Sequence, residues 1–238
     1  MPTNIMEKNI LIDFHAHILP GMDHGCEDTA MAVRQLRMAA EQGIDIIIAT
    51  SHFYPHMESV NGFLSRREEA WDELKAVWSG VRPEIRLGAE VLACNNIDQM
   101  PGIEKLCVEN SKLLLLEMPT RGQWGAKLIE AVVRLRDKKG LEVILAHGER
   151  YEAEETQKLL RKGFQLQLNA ASLAKLVSSG RIKGYINGHH VAAFGSDIHG
   201  LGNHYKAFTR AMKKWGPEAE RVMELTSSLL AVQTEQVL

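Results

Sequence analysis

The chain has 238 residues, and its 28 Lys and Arg against 30 Asp and Glu give a formal net charge of −2. Hydrophobic residues at 45% and charged residues at 24% are typical of a soluble globular protein and exclude a disordered or fibrous one. The near-neutral balance argues against nucleic acid as the main partner, and the apolar runs are too short to span a bilayer. Because Met1 to Asn9 lacks the apolar stretch of a secretion signal, we expect a cytoplasmic protein.

Seven short apolar runs predict strands that are buried on both faces. In chain order they are Ile10–Phe14, Ile44–Thr50, Glu84–Leu92, Lys112–Met118, Glu142–Ala146, Phe164–Asn169 and Val191–Ser196.

Four helical patterns lie between these runs, and each is followed by a glycine that can end a helix. They are Asp28 to Gln42, Arg66 to Ser79, Lys127 to Lys139 and Glu152 to Lys162. Strands that alternate with helices predict an α/β fold with a parallel sheet and right-handed crossovers. Seven such units favour a closed, TIM-like (β/α)7 barrel, with an open doubly wound sheet as the alternative. Because no linker interrupts the pattern, we expect residues 1–238 to form a single domain.

The three cysteines, Cys26, Cys94 and Cys107, give no disulfide framework and are expected to be packing residues. A cysteine-dependent phosphatase carries an arginine six positions after its nucleophile. None of the three has one, so that chemistry is excluded.

Metal-binding side chains occur at or just after the predicted strands. They are His15 and His17 after the first strand, His52 after the second, Glu90 near the end of the third, Glu117 near the end of the fourth, His147 after the fifth, and Asp197 and His199 after the seventh. In a parallel barrel these ends open on one face, which is where active sites lie. Each residue is weak evidence alone, since Asp197, for example, could simply cap the next helix. Their coincidence predicts a metal site.

The predicted donors are imidazoles and carboxylates, a set that suits Mn²⁺, Fe or Zn²⁺ in a non-structural site. Eight donors are too many for one ion, so we expect two or three ions. Arg150, three residues after His147, is placed to bind a phosphate through its planar guanidinium. The alternative for Arg150 is a surface ion pair with Glu149 or Glu152.

Six segments together resemble the polymerase and histidinol phosphatase (PHP) superfamily. More narrowly, they resemble the bacterial manganese-dependent protein tyrosine phosphatases of capsule and exopolysaccharide operons. The segments are Ile12-Asp13-Phe14-His15-Ala16-His17-Ile18-Leu19-Pro20-Gly21, Ile48-Ala49-Thr50-Ser51-His52, Gly88-Ala89-Glu90-Val91, Leu116-Glu117, Ala146-His147-Gly148-Glu149-Arg150-Tyr151 and Gly195-Ser196-Asp197-Ile198-His199. The resemblance runs from about Asn9 to the C-terminus.

This resemblance implies a distorted seven-stranded barrel and three metal ions. The first ion would be held by His15, His17, Glu90 and Asp197. Glu90 would bridge to the second, which Glu117 and His147 complete. The third would take His52, His199 and the residue before Gly25, which is His24 here. Arg150 would bind the phosphate.

The chain departs from the family pattern at two sites that bear on the chemistry. Relatives usually read Asp-Asp-Gly where this chain has Asp23-His24-Gly25, so either His24 or Asp23 ligates the third metal. The second phosphate-binding arginine expected after the Asp-x-His motif is missing from residues 200–205. There His204, if protonated, is expected to replace that cation in part.

The resemblance predicts a metal-dependent phosphomonoesterase that acts on phosphotyrosine in a protein, most simply a bacterial tyrosine kinase of polysaccharide synthesis. In the expected mechanism a metal-bridging hydroxide attacks phosphorus in line, and Arg150 neutralises charge on the phosphoryl oxygens. Trp124 and Tyr151 are candidates for stacking on the substrate ring.

Three alternatives stay open on sequence alone. The same site could take a small phosphate such as histidinol phosphate or a sugar phosphate. The chain could be an amidohydrolase-type hydrolase, or a metal-binding interaction module without catalysis. The oligomeric state, the physiological metal and the general acid stay open as well.

Overall fold

Short parallel strands carry the apolar runs of this chain. The structure is a computed structural model, and it describes residues 10–177 and 179–231. Within those residues the strands are β1 Ile12–Ala16, β2 Ile46–Ala49, β3 His52–Phe53, β4 Glu84–Leu87, β5 Glu90–Leu92, β6 Leu113–Glu117, β7 Glu142–Leu145, β8 Gln165–Asn169 and β9 Val191–Gly195.

The helices follow the strands in the alternation expected of an α/β protein. They are α1 Thr29–Glu41, α2 Val60–Val77, α3 Ala126–Asp137, α4 Ala153–Leu160, α5 Ala170–Leu173, α6 Gly180–Asn187, α7 His204–Trp215 and α8 Pro217–Ala231. Three 3₁₀ turns lie at Ile97–Gln99, Ile103–Leu106 and Gly148–Arg150. No helix in the described part of the chain is long and apolar enough to cross a membrane.

The strands form two sheets in which every pairing is parallel. One has the order β1-β2-β4 and the other β3-β5-β6-β7-β8-β9. Only residues 50–51 separate β2 from β3, and residues 88–89 separate β4 from β5, so the chain passes directly from one sheet to the other at both places. Beyond β9, the Asp197 amide donates to the His15 carbonyl at 2.7 Å and brings the end of β1 beside the end of β9.

The expectation of a parallel α/β fold is confirmed, whereas the count of seven strands is not. The predicted run Glu84–Leu92 is divided into β4 and β5, and β3 follows the predicted run Ile44–Thr50 just beyond its end. Between β2 and β3, the Thr50 amide donates to the Ala16 carbonyl at 2.9 Å and the Thr50 hydroxyl accepts from the Ala16 amide at 3.1 Å. The result is nine short strands within the described residues, with no closed barrel detected.

The strands are buried because most of their residues are apolar, as β6 shows. Leu113 to Leu116 in β6 are at most 1% exposed, and β5 and β7 flank the strand on its two edges. The glycines predicted to end α1, α3 and α4 do so, and Gly43, Gly140 and Gly163 all have positive φ.

Two helix predictions were incomplete. Helix α2 begins at Val60 rather than Arg66, because the Ser59 side chain caps it by accepting from the Gly62 amide at 3.1 Å. Helices α5, α6, α7 and α8 were not predicted. The last two pack Phe208 and Met223 into the hydrophobic core around β9 and β1.

Candidate metal centre

The predicted donors meet at the carboxyl ends of the parallel strands. His15 lies in β1, His17 just beyond it, His52 and Glu90 begin β3 and β5, and Glu117 ends β6. His147 follows β7, and Asp197 and His199 follow β9. Glu90 was expected near a strand end and instead starts β5, because the predicted strand is divided just before it.

Glu90 is the centre of the cluster. Its Oε2 lies 3.1 Å from His15 Nε2, 3.3 Å from His17 Nε2 and 3.0 Å from His52 Nδ1. Its Oε1 lies 2.8 Å from His147 Nε2. Burial works to raise the pKa of this carboxyl, but the charge of His15 and the imidazole hydrogen bonds outweigh it and hold that pKa well below its usual range. One buried carboxylate therefore contacts four histidines.

His15 and His17 present ring nitrogens to each other. His15 Nδ1 is 3.0 Å from Gln167 Oε1, and His17 Nδ1 is 2.8 Å from Asp23 Oδ2, so each Nδ1 has an acceptor behind it. With Nδ1 protonated in both rings, the two Nε2 lone pairs face each other at 3.1 Å. Such a pair is satisfied by a shared proton or by a cation.

The acceptors around His17 favour its protonated form. Burial works to lower the pKa of His17, but hydrogen bonds and charge from Asp23 and Glu90 raise it to about 10. His199 moves the other way, because burial and the positive His17 lower its pKa to about 4. The surroundings therefore favour positive charge at the position of His17.

Asp197 closes the cluster on the β9 side. Its Oδ1 lies 3.6 Å from the Nε2 atoms of both His15 and His17, and 3.4 Å from His199 Nδ1. Asp197 has a backbone φ of 50°, a left-handed conformation that directs its side chain back over β1. Burial works to raise the pKa of Asp197, and the charges of His15, Arg150 and His17 lower it to about 2.

Glu117 and His147 form the opposite edge, with Glu117 Oε1 lying 3.5 Å from His147 Nε2. Burial and the neighbouring Glu90 carboxylate raise the pKa of Glu117. A carboxylate that is partly desolvated beside another carboxylate is stabilised by protonation or by a cation between them.

His24, His52 and His199 lie at the outer edge of the cluster. The His24 ring stacks on His52 with centroids 5.1 Å apart and lies 4.5 Å from the His199 ring. Asp23, the other candidate at this position, already bonds His17 Nδ1 and accepts from the His52 amide at 2.9 Å. The side chain of His24 is thus the freer of the two to serve as a ligand.

The donor chemistry fits divalent metal ions. Three groups have donor atoms close enough to share an ion: His17, His52 and His199; His15, His17 and Asp197; and His52, Glu90 and Glu117. Among the described residues, the buried atoms His147 Nδ1 and His199 Nε2 also lack a hydrogen-bond partner. Imidazole and carboxylate donors without thiolate suit Mn²⁺, Fe or Zn²⁺.

A match to a protein-family model decides the family. Residues 11–220 match the model described as capsular polysaccharide synthesis, CpsB/CapC. The chain belongs to the CpsB/CapC family. The match covers every residue of the cluster and both sheets.

Named relatives in the CpsB/CapC family include tyrosine-protein phosphatase YwqE of Bacillus subtilis strain 168. It is 32% identical over 174 residues, which are 69% of this chain and 66% of the relative. Tyrosine-protein phosphatase CpsB of Streptococcus agalactiae is 25% identical over 179 residues, which are 69% of this chain and 70% of the relative. The aligned part thus spans about two thirds of the length of these relatives.

Solved structures support the CpsB/CapC fold. One crystal structure belongs to a set described as YwqE from Bacillus subtilis and CpsB from Streptococcus pneumoniae, unique metal-dependent tyrosine phosphatases. It superposes on this chain with a TM-score of 0.72. It is 23% identical and covers 94% of this chain and 95% of that one. An amidohydrolase from Mycoplasma synoviae has a TM-score of 0.53 at 12% identity, covering 95% and 88%. At these identities the likeness concerns the fold alone.

Two buried amides of β8 complete the centre of this CpsB/CapC member, and neither was predicted from the sequence. Gln167 Oε1 accepts from the His147 amide at 2.7 Å as well as facing His15, and its Nε2 donates to Asn169 Oδ1 at 2.9 Å. Asn169 Nδ2 in turn donates to Asp197 Oδ2 at 2.8 Å. The signal was present in the alternation of polar and apolar residues over Gln165–Asn169, which directs the three amides of Gln165, Gln167 and Asn169 to one face.

Arg150 and His204 occupy different surroundings. The Arg150 guanidinium is 48% exposed and pairs with Asp197 Oδ2 at the edge of the cluster, not with Glu149 or Glu152. His204 begins α7, and its Nδ1 lies 3.4 Å from the carbonyl oxygen of Ser196, the residue before Asp197.

The suggestion that Trp124 and Tyr151 stack on a substrate was wrong. The two rings pack edge to face with centroids 5.2 Å apart, and both are buried, at 3% and 1% exposure. Tyr151 Oη accepts from the Met118 amide, and Trp124 Nε1 donates to the Pro119 carbonyl. They support the loop after β6 from below and leave no ring face open to a ligand.

Proposed function

We propose that this chain is a metal-dependent phosphatase that hydrolyses phosphotyrosine in proteins. The observation that carries the proposal is the buried Glu90 carboxylate in contact with four histidines, with the exposed Arg150 guanidinium directly beside it on Asp197. The names of the YwqE and CpsB relatives support the same activity.

The proposal assigns two or three ions, with Mn²⁺ as the first choice and Fe or Zn²⁺ as alternatives. One ion takes His15, His17, Glu90 and Asp197. A second takes Glu90, Glu117 and His147, and a third takes His24, His52 and His199. Bound ions of this kind polarise a phosphoryl oxygen and lower the pKa of water toward neutrality.

The residues of the chain supply the rest of the chemistry. Arg150 can turn its exposed fork from Asp197 to the phosphoryl oxygens and neutralise charge that grows as the ester bond breaks. Glu90 keeps its negative charge because its pKa is lowered, so it continues to attract cations at neutral pH. We propose that His204 adds a second polar contact to the phosphate, supported by its place next to the Asp197 loop.

A protein substrate is part of the proposal. We propose that the phosphotyrosine belongs to a bacterial tyrosine kinase of polysaccharide synthesis and that the reaction is cytoplasmic. The match to a family described as acting in capsular polysaccharide synthesis supports this partner.

We also propose that residues 1–238 form a single domain and that the strands occupy seven positions of a barrel. The direct chain passage from β2 to β3 and from β4 to β5 supports the barrel, because each pair then counts as one bent strand. The hydrogen bond between Asp197 and His15 supports its closure at the carboxyl end.

The experiment is a comparison of kcat/KM for the Mn²⁺-loaded chain on four substrates: a phosphotyrosine peptide, the matched phosphoserine peptide, histidinol phosphate and a sugar phosphate. We expect the phosphotyrosine peptide to be preferred by at least tenfold. Preference for a small phosphate would indicate a metabolic enzyme that acts on a small molecule rather than on a protein. Absence of turnover with metal bound would favour an interaction module.

A further inference from the structure

A cavity of about 450 Å³ opens beside the outer edge of the candidate metal centre. Its lining consists of Met22, Asp23, His24, His52, Tyr54, Met57, Glu58 and Arg66. His24 and His52 belong to the centre, whereas the segment 54–58 and Arg66 of α2 do not. A molecule bound at the metals can therefore extend directly into this cavity.

Arg66 is held in the cavity by two neighbours. Its Nη2 donates to Glu58 Oε1 at 2.6 Å and its Nε to Glu58 Oε2 at 3.3 Å, so the guanidinium grips both oxygens of one carboxylate. Its Nη1 donates to the Met22 carbonyl at 3.1 Å, which anchors the side chain next to Asp23. The Arg66 fork is thus fixed in place and already shaped to a carboxylate.

The Glu58 carboxylate is a replaceable partner. The Arg66 side chain is 43% exposed and the Glu58 side chain 22% exposed, so the pair is open to solvent and contributes little to folding. A carboxylate from another molecule can take the place of Glu58 without leaving a buried charge unpaired.

The rest of the cavity offers apolar contact. The Tyr54 ring stacks on His52 at 5.2 Å between centroids, which places an aromatic wall between the metal centre and Arg66. Met57 is 71% exposed at the rim. Beside the carboxylates of Asp23 and Glu58, the lining offers an aromatic wall, an exposed methionine and the Arg66 guanidinium, so an acidic side chain of a peptide would compete with Glu58 for Arg66.

Arg66 and Arg150 differ in what they contact. Arg150 pairs with Asp197 inside the candidate metal centre, whereas the hydrogen bonds of Arg66 go to Met22 and Glu58, which are not candidate ligands. This separation assigns the phosphoryl group to Arg150 and a different anionic group of the same substrate to Arg66.

We propose that this cavity is a peptide subsite. In it, Arg66 releases Glu58 and binds the side chain of an Asp or Glu that flanks the phosphotyrosine. This inference rests on the proposed function, since it names the substrate class of that same site. Arg66 is then a specificity-determining residue, and Glu58 competes for it in the free protein.

The test uses two phosphotyrosine peptides that differ only in Glu or Gln at the flanking positions, with phenyl phosphate as a substrate that has no flanking group. The Mn²⁺-loaded full chain is compared with Arg66→Ala, Arg66→Lys and Glu58→Gln. Arg221→Ala is the matched control, because Arg221 also pairs with a glutamate, Glu218, but on the distant helix α8. The measurements are kcat and KM, together with peptide binding by fluorescence anisotropy.

We expect wild-type protein to show a KM about tenfold lower for the Glu peptide than for the Gln peptide. Arg66→Ala should remove that preference, Arg66→Lys should restore it only partly because the fork is lost, and Glu58→Gln should lower KM for the Glu peptide. Arg221→Ala should match wild type.

Two results would overturn the inference. One is an equal KM for both peptides in wild type. The other is an equal loss on phenyl phosphate and on the Glu peptide in Arg66→Ala, which would place Arg66 on the phosphoryl group. If wild type hydrolyses no phosphotyrosine substrate, the proposed function fails, and anisotropy still decides the subsite: equal affinity of wild type and Arg66→Ala for the Glu peptide would reject it.

Discussion

The histidines of the candidate metal centre are oriented by oxygen atoms on the side away from the cluster. Gln167 faces His15 Nδ1, Asp23 faces His17 Nδ1, and the backbone carbonyl of Asp197 lies 3.1 Å from His199 Nδ1. An acceptor behind a ring fixes its tautomer and raises the basicity of the opposite nitrogen. Gln167 and Asp23, which are not among the proposed ligands, would therefore influence how well the metal binds.

Substitution of Gln167 tests directly whether this residue orients the histidines. The Gln167→Met substitution keeps the side-chain length but leaves the His147 amide and His15 Nδ1 without their shared acceptor. We expect the dissociation constant for Mn²⁺, measured by titration calorimetry, to rise about 10- to 100-fold. The matched control is Gln165→Met, two residues earlier on β8. Equal affinities for the two variants would show that Gln167 does not orient the ligands.

Arg150 is tested at the same scale. Arg150→Ala should lower kcat/KM for a phosphotyrosine peptide by about 10²-fold, the loss typical when a group that stabilises transition-state charge is removed. Arg150→Lys keeps the charge and loses the planar fork, so we expect intermediate activity. An unchanged kcat/KM in Arg150→Ala would remove Arg150 from the mechanism.

At the scale of elements, the two-sheet arrangement brings distant residues together. Six strands or strand ends supply the predicted donors, and the predicted positions of His15, His17, Glu117, His147 and Asp197 at carboxyl ends agree with the structure. Such placement could be predicted, because parallel strands are buried apolar runs and their polar termini are visible in the sequence. The break before Glu90 could not, because it depends on which strands each half of the run Glu84–Leu92 pairs with, β4 with β2 and β5 with β3 and β6.

Helix α2 shows a second limit of sequence-based prediction. Residues 60–65 contain Asn61, Gly62 and Ser65, which are poor helix formers, and so the helix was expected to begin at Arg66. Val60 and Phe63 are buried against the core, and this packing extends the helix by six residues. The extension brings Arg66 back toward Glu58 and creates the cavity beside the metal centre.

The Ser59 cap of α2 can be measured directly. Ser59→Ala removes the acceptor for the Gly62 amide and should lower the free energy of unfolding by about 1 kcal/mol, measured by urea denaturation. Ser65→Ala is the matched control, because Ser65 is exposed within the same helix and should change stability little. Equal stabilities of the two variants would contradict the capping role.

For the whole molecule, the cysteines belong to the hydrophobic core, as the sequence indicated. Cys26 and Cys107 are buried, and Cys94 is half-buried, so none replaces the imidazole and carboxylate donors. Burial raises the pKa of the Cys107 thiol from 9.0 to about 12. Cys107 therefore keeps its proton at neutral pH.

The raised pKa of Cys107 predicts a loss of stability at alkaline pH. Between pH 9 and 12 the folded protein keeps a proton on Cys107 that the unfolded chain releases, so stability falls as the pH rises through that window. At pH 10.5 the contribution is about 1–2 kcal/mol. The decrease in unfolding free energy from pH 8 to 10.5 should be smaller for Cys107→Ala than for wild type. An equal decrease in wild type and in Cys107→Ala would contradict the prediction. Cys94→Ala is the control variant.

The central claim for the whole molecule is that the cluster around Glu90 performs metal-dependent phosphate release. The most direct measurement is phosphate release from a phosphotyrosine peptide by chelator-treated protein, before and after Mn²⁺ is added, for wild type and His147→Ala. We predict no release without metal, release when Mn²⁺ is restored to wild type, and none from His147→Ala. Equal release by the chelated protein, or full activity of His147→Ala, would contradict the assignment.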